Sequence, residues 1–239
     1  EFQKDNLHKI TLFQYLIPVF DYETALFMKD SFGYDSEFLD LNADAALQMF
    51  EKDLFSDNEY YILNGGLSQI VDRLVSELEK RENVTIHKEC TLKSLNEKTI
   101  TLPQGKFYFR KLICAIPPSS LQTIDYFKDK DYLLSVKQIP LLRIYAKYPV
   151  KNKNVWFKNI KRTTTDNYIR HVIPIDYDSG LIMISYTDGY YTKMWEQLYS
   201  CGEDLLIQHL HKEINDLYKI KPPKPEFISF HLWGEGLHV

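Results

Sequence analysis

Glycine is scarce in this sequence, which has nine glycines among 239 residues against seventeen tyrosines and fourteen phenylalanines. A dinucleotide-binding fold needs the turn G-x-G-x-x-G between a strand and a helix, with an acidic residue further on for the ribose. No such stretch occurs in these 239 residues. The sequence therefore excludes a complete nucleotide-binding βαβ unit within this span, and its aromatic content favours an interior rich in pockets.

Cysteine, basic charge and long apolar runs are also limited. The three cysteines are widely spaced and form no C-x-x-C pair, which predicts neither a zinc site nor a disulfide framework and favours the cytoplasm or another reducing compartment. A formal net charge of -4 provides no broad basic surface for nucleic acid. The most apolar early stretch, residues 12–20, is far shorter than the roughly 20 residues of a membrane span. We expect no metal, no nucleic acid and no membrane partner.

The order of the periodic segments predicts an α+β (mixed α/β) fold. Residues 11–55 follow helical spacing, with Gly33 ending a helix, and 68–80 form an amphipathic helix behind a short extended run at 60–63. Short β-rich runs are predicted at 84–87, 91–95, 99–102, 106–109 and 112–116. A second block has strands at 141–148, 154–157, 168–174 and 181–186, helices at 190–198 and 203–218, and a last strand at 226–233. This order indicates two interleaved modules, one with a larger mixed sheet flanked by helices.

Two short motifs point beyond the fold class. The first is Asn64-Gly65-Gly66-Leu67-Ser68, which opens the helix at 68–80, and the second is Lys111 to Pro118, a strand that ends in Ala-Ile-Pro-Pro. In this order they resemble the flavin-containing amine oxidases, and the sequences of residues 173–175 and 182–188 are most similar to a divergent branch found in large DNA viruses. The resemblance covers nearly the whole chain and is closest over residues 60–120.

The resemblance implies that different segments of the chain bind the substrate and FAD. Residues 1–59 and 120–229 correspond to a substrate-binding domain, and residues 60–119 and 230–239 to part of an FAD-binding domain that lacks the Rossmann βαβ unit. Backbone near FAD is expected at six residues: Gly65, Gly66, Cys90, Ala115, Ile116 and Pro117. Trp156 and Trp233 are the candidates for contact with a substrate.

The catalytic position departs from the family pattern. The family places a lysine on the strand that enters the large sheet, where it holds a water against the flavin, and Arg143 occupies the corresponding position here. An arginine stays cationic and can orient water, but it cannot serve as a tunable base. Lys147 shares a strand face with Arg143, so the two could exchange roles. The chain also looks truncated at both ends, since the family's glycine-rich start and closing glycine-glutamate segment are not found.

The resemblance implies an oxidoreductase that oxidises a small-molecule amine by hydride transfer to FAD. We expect FAD in the full-length parent and weak or no FAD binding by this chain, which would be inactive alone. The alternative is a non-catalytic binding or structural protein on an amine-oxidase scaffold, and a desaturase or porphyrinogen oxidase is a third possibility. The sequence identifies neither the amine nor the oligomeric state.

Overall fold

The computed structural model describes residues 4–54, 59, 61 and 63–239. Contacts within the chain divide it into two compact units. Unit 1 combines Glu1–Phe55 with Lys137–Val239, and unit 2 is Ser56–Val136. Tyr60 and Ile62, half of the extended run predicted at 60–63, lie outside the described residues.

Unit 1 begins with a set of short helices. After a 3-10 helix at Lys4–Lys9, these are α1 (Leu12–Val19), α2 (Tyr22–Phe32), α3 (Ser36–Leu39) and α4 (Ala43–Leu54). Thr11 starts α1 through a reciprocal capping box with Gln14, and the Asp21 side chain caps α2. Gly33 ends α2 in the left-handed region, with φ of 87°, which confirms the predicted stop. The apolar sides of these helices meet at Leu12, Leu16, Ala25, Phe38 and Ala46.

The rest of unit 1 is a five-stranded sheet with two long helices. Its strands, in the order β5-β6-β7-β4-β8, are β4 (Gln138–Lys147), β5 (Thr163–Thr164), β6 (His171–Asp176), β7 (Leu181–Asp188) and β8 (Phe227–His238). Every pairing is antiparallel, so the α+β class is confirmed while the sheet itself is not of mixed direction. The strand predicted at 154–157 is not formed: Asn154 makes an isolated bridge with Lys151, and residues 156–157 lie in a turn. The last strand runs five residues past its predicted end at Trp233 and continues through two glycines.

One face of this sheet forms the main hydrophobic core. Leu142, Ile144 and Ala146 alternate along β4 and are fully buried there, as the period of two in a strand requires. Helices α8 (Tyr190–Ser200) and α9 (Glu203–Tyr218) contribute further side chains to the same cluster, including Trp195. Burial of a side chain the size of Leu142 or Ile144 stabilises the fold by about 1.5–3 kcal/mol. The residues between those of the core on β4 therefore belong to the opposite face.

Unit 2 has a three-stranded antiparallel meander and three helices. These elements are α5 (Ser68–Glu79), β1 (Ser94–Asn96), β2 (Thr99–Leu102), β3 (Gly105–Tyr108), α6 (Pro118–Gln122) and α7 (Asp131–Leu134). Residues 84–87 and 112–116, predicted as strands, belong to no strand of the described structure. None of the side chains of α5 is buried, although its apolar residues are spaced for one helical face. Neither unit, over its described residues, has a helix long and apolar enough to cross a membrane.

Candidate functional site

The face of the sheet opposite the core carries a cation surrounded by aromatic rings. Arg143 lies on β4 directly opposite Tyr186 of β7 on one side and His231 of β8 on the other. Directly paired residues of antiparallel strands project to the same face, and neighbouring pairs lie within reach of long side chains. The pairing of β4 with two neighbours therefore assembles the site from three strands.

The guanidinium of Arg143 contacts mainly the side chain of Tyr186. Its Nη2 donates a hydrogen bond to the Tyr186 hydroxyl at 3.2 Å, and its guanidinium carbon lies 4.6 Å from the centre of the Tyr186 ring. The Trp233 ring centre is 5.8 Å away on the other side. Burial acts to lower the pKa of Arg143, but hydrogen bonds with Tyr186 and Tyr145 outweigh it and raise this pKa above its ordinary value. The side chain is thus a permanent cation between aromatic rings.

Two further rings extend the site toward the loop after α2. The Tyr34 ring centre lies 5.1 Å from that of Tyr186 and 4.7 Å from that of His171. Burial, with smaller effects of the Tyr186 side chain, raises the pKa of Tyr34. Burial, followed by the positive charges of Arg162 and Arg170, lowers the pKa of His171 to about 4. Near neutral pH the tyrosine therefore keeps its proton and the histidine is uncharged.

Asp188, at the end of β7, fixes the loop that carries Tyr34. Its carboxylate accepts hydrogen bonds from the backbone N–H of Asp35 at 3.1 Å and of Ser36 at 2.9 Å, and a third from the Ser36 hydroxyl. The Asp188 side chain is fully buried. A carboxylate at this place accepts hydrogen bonds from the first N–H groups of α3, and its negative charge interacts favourably with the positive end of the helix dipole. A residue of the sheet thus caps a helix that lies 152 residues earlier.

A buried ion-pair network ties the same loop to β6. The guanidinium of Arg170, fully buried, lies 3.2 Å from an Asp30 oxygen and 3.3 Å from an Asp35 oxygen. Lys29 pairs with the same two carboxylates at 2.8 and 3.1 Å. Arg170 also packs over the Tyr191 ring, 5.0 Å from its centre. Because each charge meets an opposite one, the network can remain ionised away from water.

A bulge in β8 shapes a pocket beside Arg143. Leu237 pairs with Ile139 and Trp233 with Leu141, so residues 234–236 stand opposite the single residue 140. A Cβ on Gly236 would overlap the Leu141 side chain, so only glycine allows this approach. The resulting pocket, of about 290 Å³, is lined by Leu141, Arg143, Trp233, Glu235 and Gly236.

The structure thus brings together two of the three predicted site residues of unit 1. Arg143 and Trp233 line one pocket. Trp156 does not join them and packs against the main core, with its ring centre 5.3 Å from those of Tyr148 and Phe157. Lys147, the alternative to Arg143, is exposed at the end of β4 and is not among the residues that line this pocket.

The glycine motif of unit 2 forms a turn that opens a helix. Gly65 and Gly66 both have φ of 89°, and the Gly66 N–H donates to the Leu63 carbonyl at 2.9 Å. Positive φ at two consecutive positions explains why both are glycine. Helix α5 then begins at Ser68, with no side chain capping its N-terminus. This turn and helix start are what the sequence predicts.

The other predicted flavin contacts of unit 2 lie on irregular backbone. The Cys90 thiol is half-buried, 2.8 Å from the Gln104 amide nitrogen and 3.0 Å from the Lys88 carbonyl oxygen. Ala115, Ile116 and Pro117 are exposed, and Pro117 precedes α6. No group of three or more His, Cys, Asp or Glu side chains suited to a metal occurs among the residues that the structure describes.

Comparison with known proteins gives a family and a fold. Residues 2–238 match the family model described as flavin containing amine oxidoreductase. The curated proteins gave no match. Among solved structures, a candidate protoporphyrinogen oxidase from Exiguobacterium sp. 255-15 is similar, with a TM-score of 0.61 and 12% identity. The alignment covers 82% of this chain and 44% of that one, so the chain spans less than half the length of that structure. At this identity the similarity establishes the fold alone.

Proposed function

The chain belongs to the flavin-containing amine oxidoreductase family, and from this premise we propose that the longer protein oxidises a small-molecule amine. The observation that carries the proposal is the family match, which extends over residues 2–238. When FAD is bound, it would supply the redox chemistry by accepting a hydride from the carbon beside the amine nitrogen. The residues of this chain would bind the amine, orient it and exclude water.

The described residues fit part of a flavin site. The Gly65-Gly66 turn leads into the uncapped N-terminus of α5, where backbone N–H groups and the helix dipole favour a negatively charged group. The turn G-x-G-x-x-G, which would hold the pyrophosphate, is not among these 239 residues. We therefore propose that FAD binds in the longer protein and that this chain alone binds it weakly or not at all. Cys90, Ala115, Ile116 and Pro117 remain predicted contacts.

Within unit 1 we assign the catalytic position to Arg143 and the substrate contact to Trp233. Both line the pocket beside the β8 bulge, whereas Lys147 is exposed at the strand end. A permanently charged arginine cannot take a proton, so its role would be to orient substrate or water by hydrogen bonds. Trp156 packs in the core cluster, which favours a structural role for it.

A second candidate function is a non-catalytic binding protein on the same scaffold. Two observations favour it: these residues lack the dinucleotide turn, and Arg143 stands where the family pattern has a lysine. The resemblance to the viral branch stays a prediction under either function, and so does the assignment of substrate and FAD to separate segments of the chain.

One assay separates the two functions. The full-length protein would be purified with FAD, and hydrogen peroxide would be measured with a panel of amines, together with bleaching of the flavin absorbance under anaerobic conditions. We expect turnover of at least one amine, reduced by Arg143→Gln and unchanged by Lys147→Gln. Bound flavin that no amine in the panel reduces would refute the oxidase and support the scaffold.

A further inference from the structure

An apolar pocket opens among the first four α-helices of unit 1. Its volume, about 390 Å³, lies within the range of about 300–1,000 Å³ usual for small-molecule sites. Eight leucine, phenylalanine and methionine side chains from α1, α2, α3 and α4 line it, and the hydroxyl of Ser31 is the one polar group among them. None of these residues lines the pocket beside Arg143. The apolar pocket is therefore separate from the site assigned to amine oxidation.

The floor of the apolar pocket is well packed and its rim is exposed. Leu12 and Leu16 of the floor are buried in the core of the helices. The rings of Phe32 and Phe50 meet edge to face, with their centres 4.6 Å apart. Phe27, at the rim, is 70% exposed. Water in an apolar pocket finds few hydrogen-bond partners, so an apolar group that displaces it would bind favourably.

The segment that forms this pocket is strongly acidic. Residues 12–54 contain nine aspartates and glutamates, two lysines and no arginine, which gives a formal charge of -7. The whole chain has a formal charge of -4, so the rest of it is net positive. Negative charge is thus concentrated on the helices around the apolar pocket, and it would attract a positively charged ligand.

A second pocket shows where a positive charge would lie. It has a volume of about 420 Å³ and adjoins the apolar pocket at Phe27 and Ser31, which line both. Its wall includes the carboxylates of Glu23, Asp30 and Asp166, and no lysine or arginine is among the described residues that line it. Asp30 is already paired with the cations of the buried network, so the charge offered to a ligand comes mainly from the other two carboxylates. The exposed ring of Phe27 would attract a cation as well.

We propose that the apolar pocket binds a cationic amphiphile, with its apolar chain between the helices and its charged head group beyond Phe27, near Glu23 and Asp166. The same carboxylates would repel an anionic head group and would add nothing to the binding of a neutral one. The inference goes beyond the proposed amine oxidation, because it assigns a second site and requires no flavin.

Three probes with the same ten-carbon chain test the proposal on the 239-residue chain: decyltrimethylammonium, decanol and decanoate, each below its micelle-forming concentration. The nitrogen of the first is fully substituted, so its binding is independent of amine oxidation. NMR of isotope-labelled methionine methyl groups would follow the titrations. Met28 lines the apolar pocket, whereas Met194 packs against the main core and serves as the internal reference.

We expect all three probes to shift the Met28 signal and to leave the Met194 signal in place. Because one exposed pair of opposite charges changes affinity by up to about fivefold, decyltrimethylammonium should bind at least about threefold more tightly than decanol. Decanoate should bind more weakly than decanol, and added salt should reduce these differences. No shift of Met28, or affinities that do not depend on the head group, would overturn the proposal.

Variants locate the two parts of the site. Phe27→Ser removes an exposed ring and should weaken the binding of all three probes, whereas Glu23→Gln should reduce only the advantage of the cation. Tyr190→Ser, at a residue that is 72% exposed, and Glu196→Gln, on the surface of α8, are the matched controls and should change neither. Equal effects of the controls would overturn the proposal. If a variant fails to fold, the salt dependence measured with the unaltered chain still decides.

A second copy of the chain would be another occupant of the apolar pocket, and sedimentation velocity separates this case. A chain that stays monomeric and binds the cationic probe supports the proposal. A dimer that Phe27→Ser converts to a monomer, together with no effect of any probe on Met28, would show that the pocket is a contact between copies and that the proposal is wrong.

Discussion

Replacing Asp188 tests the structure that positions Tyr34. In Asp188→Ala, two backbone N–H groups, of Asp35 and Ser36, and the Ser36 hydroxyl lose a buried charged acceptor. Each hydrogen bond to a charged group contributes about 1.5–3 kcal/mol, and water entering the vacated space would recover part of it. We expect the free energy of unfolding to fall by about 3–5 kcal/mol. Asp188→Asn, which keeps one oxygen, should cost about 2 kcal/mol, and Ser36→Ala about 1 kcal/mol.

Tryptophan fluorescence during urea unfolding is the suitable assay, because Trp156, Trp195 and Trp233 all lie in unit 1 and report on that unit alone. The control is Asp178→Asn, an exposed aspartate in the turn between β6 and β7, which should change stability by less than about 0.5 kcal/mol. A loss below about 1 kcal/mol for the alanine variant of Asp188 would refute the assignment of this carboxylate as the cap of α3.

Three further predictions concern the same unit. The pKa of His171 is about 4 in the folded protein and about 6.5 in the unfolded protein, so the unfolded state binds a proton at higher pH. The free energy of unfolding should therefore fall by up to about 3 kcal/mol as the pH drops from about 6.5 to 4. Unfolding curves at several pH values should show a flatter pH dependence of this free energy for His171→Gln, and equal slopes for the two proteins would contradict the burial argument. Gly236→Ala should lower the midpoint of thermal unfolding and perturb the pocket, because the added Cβ would overlap Leu141 of β4. Gly234→Ala, which adds a Cβ in open space, should leave the midpoint unchanged. Equal midpoints for the two variants would argue against the bulge. Arg170→Met should destabilise unit 1 by about 3–5 kcal/mol in urea titrations, because the buried Asp35 and the half-buried Asp30 would then share one lysine. A neutral effect would show that the pairs are not desolvated.

Local patterns in the sequence predict much of the fold. Helix α9 has its predicted bounds, 203–218, because its apolar residues keep helical spacing against the sheet. Residues 84–87 and 112–116 show the limit of the same reasoning. Their composition is typical of strands, yet a strand also needs a partner, and pairing is a property of the whole fold. Similarly, Gly234 and Gly236 suggest an end to the last strand, whereas pairing with β4 carries it through a bulge to His238.

In the candidate site, too, some residues can be predicted from the sequence and others depend on the whole fold. Arg143 and Trp233 were candidates from the sequence because the family resemblance places each of them at a position of its pattern, and in the structure they line one pocket. Tyr34 and His171 carry no local signal, since their contacts join segments more than 130 residues apart. Asp188 precedes α8, so a sequence pattern assigns it to the start of that helix. The structure instead shows it capping α3.

The remote contacts have a direct bearing on Arg143. Tyr34 follows a glycine held in the left-handed region and precedes Asp35, which is held by Asp188 and by two cations. The backbone on both sides of Tyr34 is thus fixed, its ring packs against Tyr186, and Tyr186 in turn accepts a hydrogen bond from the Arg143 guanidinium. The buried charges therefore do more than stabilise unit 1. Through Tyr34 and Tyr186 they also support the orientation of a cation that they never touch.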